Sequence, residues 1–102
     1  MVEKEYRLAR TDEKTIEKVL LDQNIHYLHM VLPAGDGLPV HHCNAPLYMT
    51  VVRGTLSIEL DGQPVHEYPS GTLLTIPDRT LMHVRNLHPD TLELIVVKAP
   101  AP

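Results

Sequence analysis

GDGLPVHHCNAPLYMTVVRG, residues 35–54, and GTLLTIPDRTLMHVRN, residues 71–86, are the stretches whose reading decides the fold. Each opens on glycine, sets proline and histidine at fixed distances behind it, and runs into short apolar segments. Outward from these two, the chain from Ile25 onward breaks into brief runs rich in β-branched residues, each closed by a turn signal, which is the pattern of an all-β sandwich or barrel. Predicted strands cover Ile25 to Leu32, Leu47 to Val52, Leu56 to Leu60, Val65 to Tyr68, Thr72 to Ile76, Met82 to Asn86 and Thr91 to Lys98. Between them lie Pro33 to Gly37, Arg53-Gly54, Asp61-Gly62, Pro69 to Gly71, Pro77-Asp78 and His88 to Asp90. Asp-Gly tolerates the positive φ angles of a type I′ turn, so Leu56 to Leu60 is expected to fold back on the segment beginning at Gln63. No helical periodicity runs through this region.

The first 24 residues read two ways. Ile16, Val19 and Leu20 fall on one helical stripe after Thr11-Asp12-Glu13, yet Thr15 to Leu21 also reads as a strand leading to a turn at Asp22-Gln23-Asn24. The chain divides into an N-terminal arm, 1–24, a barrel, 25–98, and a tail, 99–102, whose prolines keep it out of a sheet interior.

A chain of 102 residues with 43% hydrophobic residues encloses one core and needs no disulfides. No apolar run approaches a membrane span, and the start, Met-Val-Glu-Lys-Glu-Tyr, is not a secretory signal. Cys43 is the single cysteine; an unpaired thiol suits a reducing compartment, and a cytoplasmic location is expected. Net charge is −4 and the basic residues are scattered, which argues against nucleic acid as a partner. Without phenylalanine or tryptophan the core must be built from Leu, Ile, Val and Met. No nucleophile elbow, phosphate-binding glycine loop or paired-cysteine zinc motif is present.

The two stretches together resemble the paired motifs of the small single-domain cupins of the RmlC-like kind. Gly35, His41, Cys43, Leu47 and Gly54 stand where the first motif has Gly, His, His, Glu and Gly; Gly71, Pro77, Met82 and Asn86 stand where the second has Gly, Pro, His and Asn. The resemblance covers residues 25 to 98. It implies a double-stranded β-barrel of two antiparallel sheets with its pocket inside, and tips the N-terminal segment toward strands that join the barrel or a dimer. It also implies a homodimer, and, among family members, activities from oxygenase and isomerase to plain ligand binding. Fold alone does not choose among these.

Of the four residues that hold a divalent ion in such proteins, the resemblance keeps only His41; Cys43, Leu47 and Met82 fill the other places. Strand alternation lets 41 and 43 share the inward face, and sets Met82, Val84 and Asn86 on one side with His83 and Arg85 on the other. If these converge, one imidazole, one thiolate and one thioether form a soft metal set of His41, Cys43 and Met82, suited to copper or zinc. Iron or manganese would lose a carboxylate at Leu47. His26 shares parity with Leu28, Met30 and Leu32, from which it would enter the barrel, and Tyr48, beside the motif, could donate to a ligand. The expected ligand pocket is therefore His41, Cys43, Leu47, Met82, His26 and Tyr48. His29, His66 and His88 are read as solvated surface imidazoles.

Each residue also has a packing interpretation, since Leu47 and Met82 are ordinary core types and a free cysteine behaves as a small hydrophobe. Three functions compete: a cupin that binds a small molecule or soft metal without a catalytic cycle, a metalloenzyme with a rearranged ligand set drawing on His26, His42 or His83, and an interaction protein with a filled barrel.

Overall fold

The computed structural model describes residues 1–102. It contains nine strands and no helix: β1 Thr15–Leu21, β2 His26–Leu32, β3 His41–His42, β4 Leu47–Arg53, β5 Thr55–Leu60, β6 His66–Pro69, β7 Leu73–Ile76, β8 Leu81–Arg85 and β9 Leu92–Lys98. They form a five-stranded sheet in the order β1-β2-β9-β4-β7 and a four-stranded sheet in the order β3-β8-β5-β6. Every pairing is antiparallel. The all-β, two-sheet barrel is therefore present, and no helix is long and apolar enough to cross a membrane.

The core is the product of alternation. Leu47, Met49 and Val51 on β4, Met82 and Val84 on β8, and Leu92, Leu94 and Val96 on β9 are all buried, with less covered residues between them. Leu56 and Ile58 of β5 complete the opposite wall. Two inner faces of this kind, stacked, remove enough apolar surface from water to hold a domain of this size.

The glycine and asparagine of the motifs have structural reasons. Gly54 turns β4 into β5 at φ +78, and a Cβ there would come within 2.3 Å of the Thr91 carbonyl oxygen, so no other residue fits. Asn86 is fully buried; its side-chain amide donates to Leu32 O at 2.9 Å and Asp90 O at 2.7 Å, and its oxygen accepts from the His88 N–H at 3.0 Å. One side chain thus ties the ends of β2 and β8 to the turn before β9.

The Asp61-Gly62 hairpin forms as its turn chemistry requires, with φ +48 and +74 and a Gln63 N–H to Leu60 O bond of 2.9 Å. Regular pairing resumes at Ile58 with His66. Two elements differ from the sequence expectation or settle it. Residues 15–21 are a strand, β1, paired with β2. The segment at His41–His42 forms a two-residue strand against β8 that no apolar run announces. Residues ahead of β1 run as an arm without strand pairing, and the tail is fastened by Ala99 N–H to Pro46 O, 3.2 Å, and Ala101 N–H to Asn24 O, 2.9 Å.

Candidate functional site

Between the two sheets the barrel keeps a small, largely enclosed cavity of about 70 Å³. Its floor and sides are Leu28 and Met30 of β2, Met49 of β4 and Val84 of β8. His41, Cys43, Leu47 and Met82 all line it. The register explains why. His41 is the direct partner of Met82, and in an antiparallel pair direct partners project to the same face. Beyond that pair, the Cys43 N–H donates to Thr80 O at 3.0 Å and the Arg79 N–H to Cys43 O at 3.0 Å, which extends the ladder and carries Cys43 inward.

Cys43 and Met82 are both about 4% exposed, whereas His41 stands exposed at the opening. The His41 Nδ1 lies 2.8 Å from the Pro39 carbonyl oxygen. A carbonyl only accepts, so Nδ1 carries a hydrogen, and in the neutral ring Nε2 then keeps the lone pair, the arrangement that prepares an imidazole as a ligand. The Cys43 thiol donates to Pro77 O at 3.0 Å, and the same carbonyl takes the Thr80 hydroxyl at 2.7 Å. Lys98, which also lines the cavity, directs its ammonium to Asn44 Oδ1 at 2.8 Å. Sequence reasoning did not single out Lys98; the signal was its parity with Val96 at the end of a strand.

His26 and Tyr48 are not among the lining residues. Tyr48 alternates with buried Leu47 and Met49, so it points out of the barrel and is 43% exposed. His26 has inward parity but stands at the end of β2, opposite Lys98 and one step beyond Leu28. His42 is exposed, and His83, on the outer parity of β8, lies 3.7 Å from a Glu59 oxygen.

A divalent ion of the hard, oxygen-preferring kind does not fit these residues. No cluster of three or more His, Cys, Asp or Glu side chains is positioned to hold a metal ion. At the motif positions only His41 and Cys43 are strong donors, and a third would have to be the Met82 thioether.

A second buried polar group lies outside the cavity. His29, expected to be a solvated surface imidazole, is 0% exposed. Its Nδ1 is 2.6 Å from Glu17 Oε1 on β1 and its Nε2 is 2.6 Å from Glu93 Oε2 on β9. The correction is one of cover: the face on which His29 lies is overlaid by its neighbours on β1 and β9 and by the arm. Of the other two, His66 is exposed and His88 bonds to Glu67, whose carboxyl is held below the ordinary range by that contact and by the Ser57 hydroxyl.

No family model matches the chain. An uncharacterized protein of Methanocaldococcus jannaschii is 33% identical over 103 residues, covering 100% of this chain and 89% of that protein. The crystal structure of that protein, described as an RmlC-like cupin family protein with a double-stranded β-helix fold, superposes with a TM-score of 0.95 over 98% of this chain and 93% of the other. An RmlC-like cupin protein from Desulfovibrio desulfuricans, 26% identical, has a TM-score of 0.81 and covers 98% and 99% of the two chains. A DMSP lyase from Ruegeria pomeroyi, 17% identical with a TM-score of 0.68 over 76% of this chain and 39% of its own, shares the fold alone. With the two sheets, the motif spacing and a relative that matches end to end, the chain belongs to the RmlC-like cupin family.

Proposed function

We propose that this cupin binds one soft metal ion, copper(I) or zinc, at the barrel cavity through His41, Cys43 and Met82, in the cytoplasm, with no catalytic cycle. The observation that carries it is the pairing of volume with chemistry. About 70 Å³ is room for an ion or a few atoms, far below the roughly 300 to 1,000 Å³ of pockets that enclose drug-sized molecules. Its walls supply a thiol, the thioethers of Met30, Met49 and Met82, of which Met82 is the direct partner of His41, and, at the opening, an imidazole, with no carboxylate. Thioether and thiolate favour copper(I); thiolate and imidazole alone suit zinc. The reducing cytoplasm keeps the lone Cys43 thiol available, and uptake strengthens as pH rises because the thiolate is the ligand.

A small apolar molecule is the second reading, favoured by the apolar walls at Leu28, Met30, Met49 and Val84. A homodimer belongs to the same proposal. Tyr48, Val52 and Leu73 are 43%, 44% and 59% exposed and share the outer face of β4 and β7, where a second copy would cover them. Sedimentation at micromolar concentration checks it, a monomer being the contrary result. For the metal, the test is elemental analysis of untagged protein after exposure to copper(I) and to zinc, beside Cys43→Ala. Stoichiometric uptake that the substitution removes supports the proposal; an apolar ligand recovered from a metal-free protein supports the second reading.

A further inference from the structure

On the outer face of the five-stranded sheet a row of charged side chains crosses four strands. Glu17 on β1 is the direct partner of His29 on β2, and Glu93 on β9 is the direct partner of Arg53 on β4. The row is joined by short contacts: Glu17 Oε1 to His29 Nδ1, 2.6 Å; His29 Nε2 to Glu93 Oε2, 2.6 Å; and Arg53 Nε to Glu93 Oε1, 3.1 Å. Both ends of the row then hold the N-terminal arm. Glu17 Oε1 accepts the Ala9 N–H at 2.9 Å, while Arg53 donates to Asp12 Oδ1 at 2.5 Å and to the Thr11 carbonyl at 2.9 Å. The chain of bonds begins and ends on residues 9–12, and His29 is its middle link.

His29 can hold both carboxylates only in one state. A neutral imidazole has one N–H and one lone pair, so against two ionised carboxylates one contact would set lone pair against oxygen. The imidazolium has two donors and satisfies both. The charges around it are Glu17 and Glu93 in contact, Arg53 one bond further, Asp12 one beyond Arg53, and Arg10, Glu5 and Arg7 along the hollow between the arm and Glu93. Removing the imidazole proton leaves three carboxylates in the row, Glu17, Glu93 and Asp12, facing the Arg53 guanidinium alone. One of the two part-buried contacts then becomes repulsive.

We infer that His29 is a proton-operated latch for the N-terminal arm: with His29 doubly protonated, residues 9–12 are fastened over the outer sheet face, and loss of that proton on alkalisation releases them. The same strand carries Leu28 and Met30, which wall the barrel cavity on its other side, so the latch sits on an element shared with that pocket. The latch stands on its own bonds and does not depend on a metal being bound.

Two measurements on the full chain test it. Nitrogen and carbon chemical shifts of the His29 ring at neutral pH should be those of an imidazolium. Protection of the Ala9 amide from hydrogen exchange, taken relative to a disordered reference peptide, should be lost as pH is raised through an alkaline series, since one proton is linked to arm docking. Glu93→Gln separates a latch from a merely structural contact. The carboxamide that this substitution introduces can donate to a neutral imidazole nitrogen while its oxygen still accepts from Arg53, so the arm should stay protected across that series. A neutral His29 ring at pH 7, an Ala9 amide whose protection does not change with pH, or a Glu93→Gln profile that follows the wild type would each overturn the inference. The ring measurement needs no variant, so a Glu93→Gln protein that failed to fold would leave the test intact.

Discussion

The two faces of β2 present opposite chemistries one residue apart. Inward, Leu28 and Met30 wall a cavity where the family motif's histidine, His41, is exposed and uses one ring nitrogen on the Pro39 carbonyl. Outward, His29, which belongs to no motif, is wholly buried and uses both nitrogens on carboxylates. A histidine with a spare lone pair at a cavity mouth is free to bind something; a histidine with none is committed to holding the structure together. The difference teaches that motif membership marks proximity to the pocket, whereas engagement of the ring decides how much stability rides on it.

The largest expected effect follows directly. His29→Ala empties a buried site and leaves two partly exposed carboxylates without their shared donor, which should cost about 2 to 3 kcal/mol in urea unfolding, less than breaking a fully buried pair because both carboxylates keep some contact with water. His41→Ala, at an exposed position, should stay within about 0.5 kcal/mol. Equal losses in the two variants would erase the contrast between the faces. Next in size, Cys43→Ala removes a buried sulfur and its bond to Pro77 O, for about 1 to 2 kcal/mol, and should leave the barrel folded while abolishing metal uptake. Met82→Leu, nearly volume-conserving, should cost less than about 1.5 kcal/mol and selectively weaken copper(I) over zinc, because only the thioether is lost. Zinc and copper(I) falling together would show that Met82 acts by packing alone.

Acid should act on the outer face as well. The Glu17 carboxyl is held below its ordinary range, first by the Ala9 N–H and then by His29. A depressed folded-state value means that the stabilisation is present above the ordinary carboxyl range and is lost as pH falls through the folded value. Glu17 is partly exposed, so solvent tempers the effect, and it should be the smallest of the series. Ala9 amide protection should decline below about pH 4, with Glu17→Gln removing that acid dependence; an unchanged acid profile in the variant would assign it to another group.

Much of the barrel was legible because its strands are half-buried and announce themselves by alternation and turn residues. Where alternation breaks, legibility breaks with it. The register of β1 against β2 shifts between Lys18 and Leu20, and that bulge spaces Ile16, Val19 and Leu20 like a helical stripe. β3 is two exposed histidines and has no apolar signature. The motif spacing brought His41, Cys43, Leu47 and Met82 to one cavity, because fixed offsets in paired strands preserve register. It did not exclude Tyr48, whose outward direction follows from its alternation with Leu47, or His26, which has the right parity but is absent from the lining although its partner Lys98 belongs to it. The burial of His29 was invisible: its partners are 12 and 64 residues away, and only the order β1-β2-β9-β4 brings Glu17, Glu93 and Arg53 onto its face.

The central claim is that the cavity is a soft-metal site, and one measurement addresses it most directly: metal content by elemental analysis of untagged protein, wild type and Cys43→Ala, after equal exposure to copper(I), zinc, iron(II) and manganese(II). The predicted result is one copper or zinc per chain in the wild type, none in Cys43→Ala, and no stoichiometric iron or manganese in either. Iron or manganese at one per chain that survives the substitution, or a wild type that takes up no metal, would contradict it.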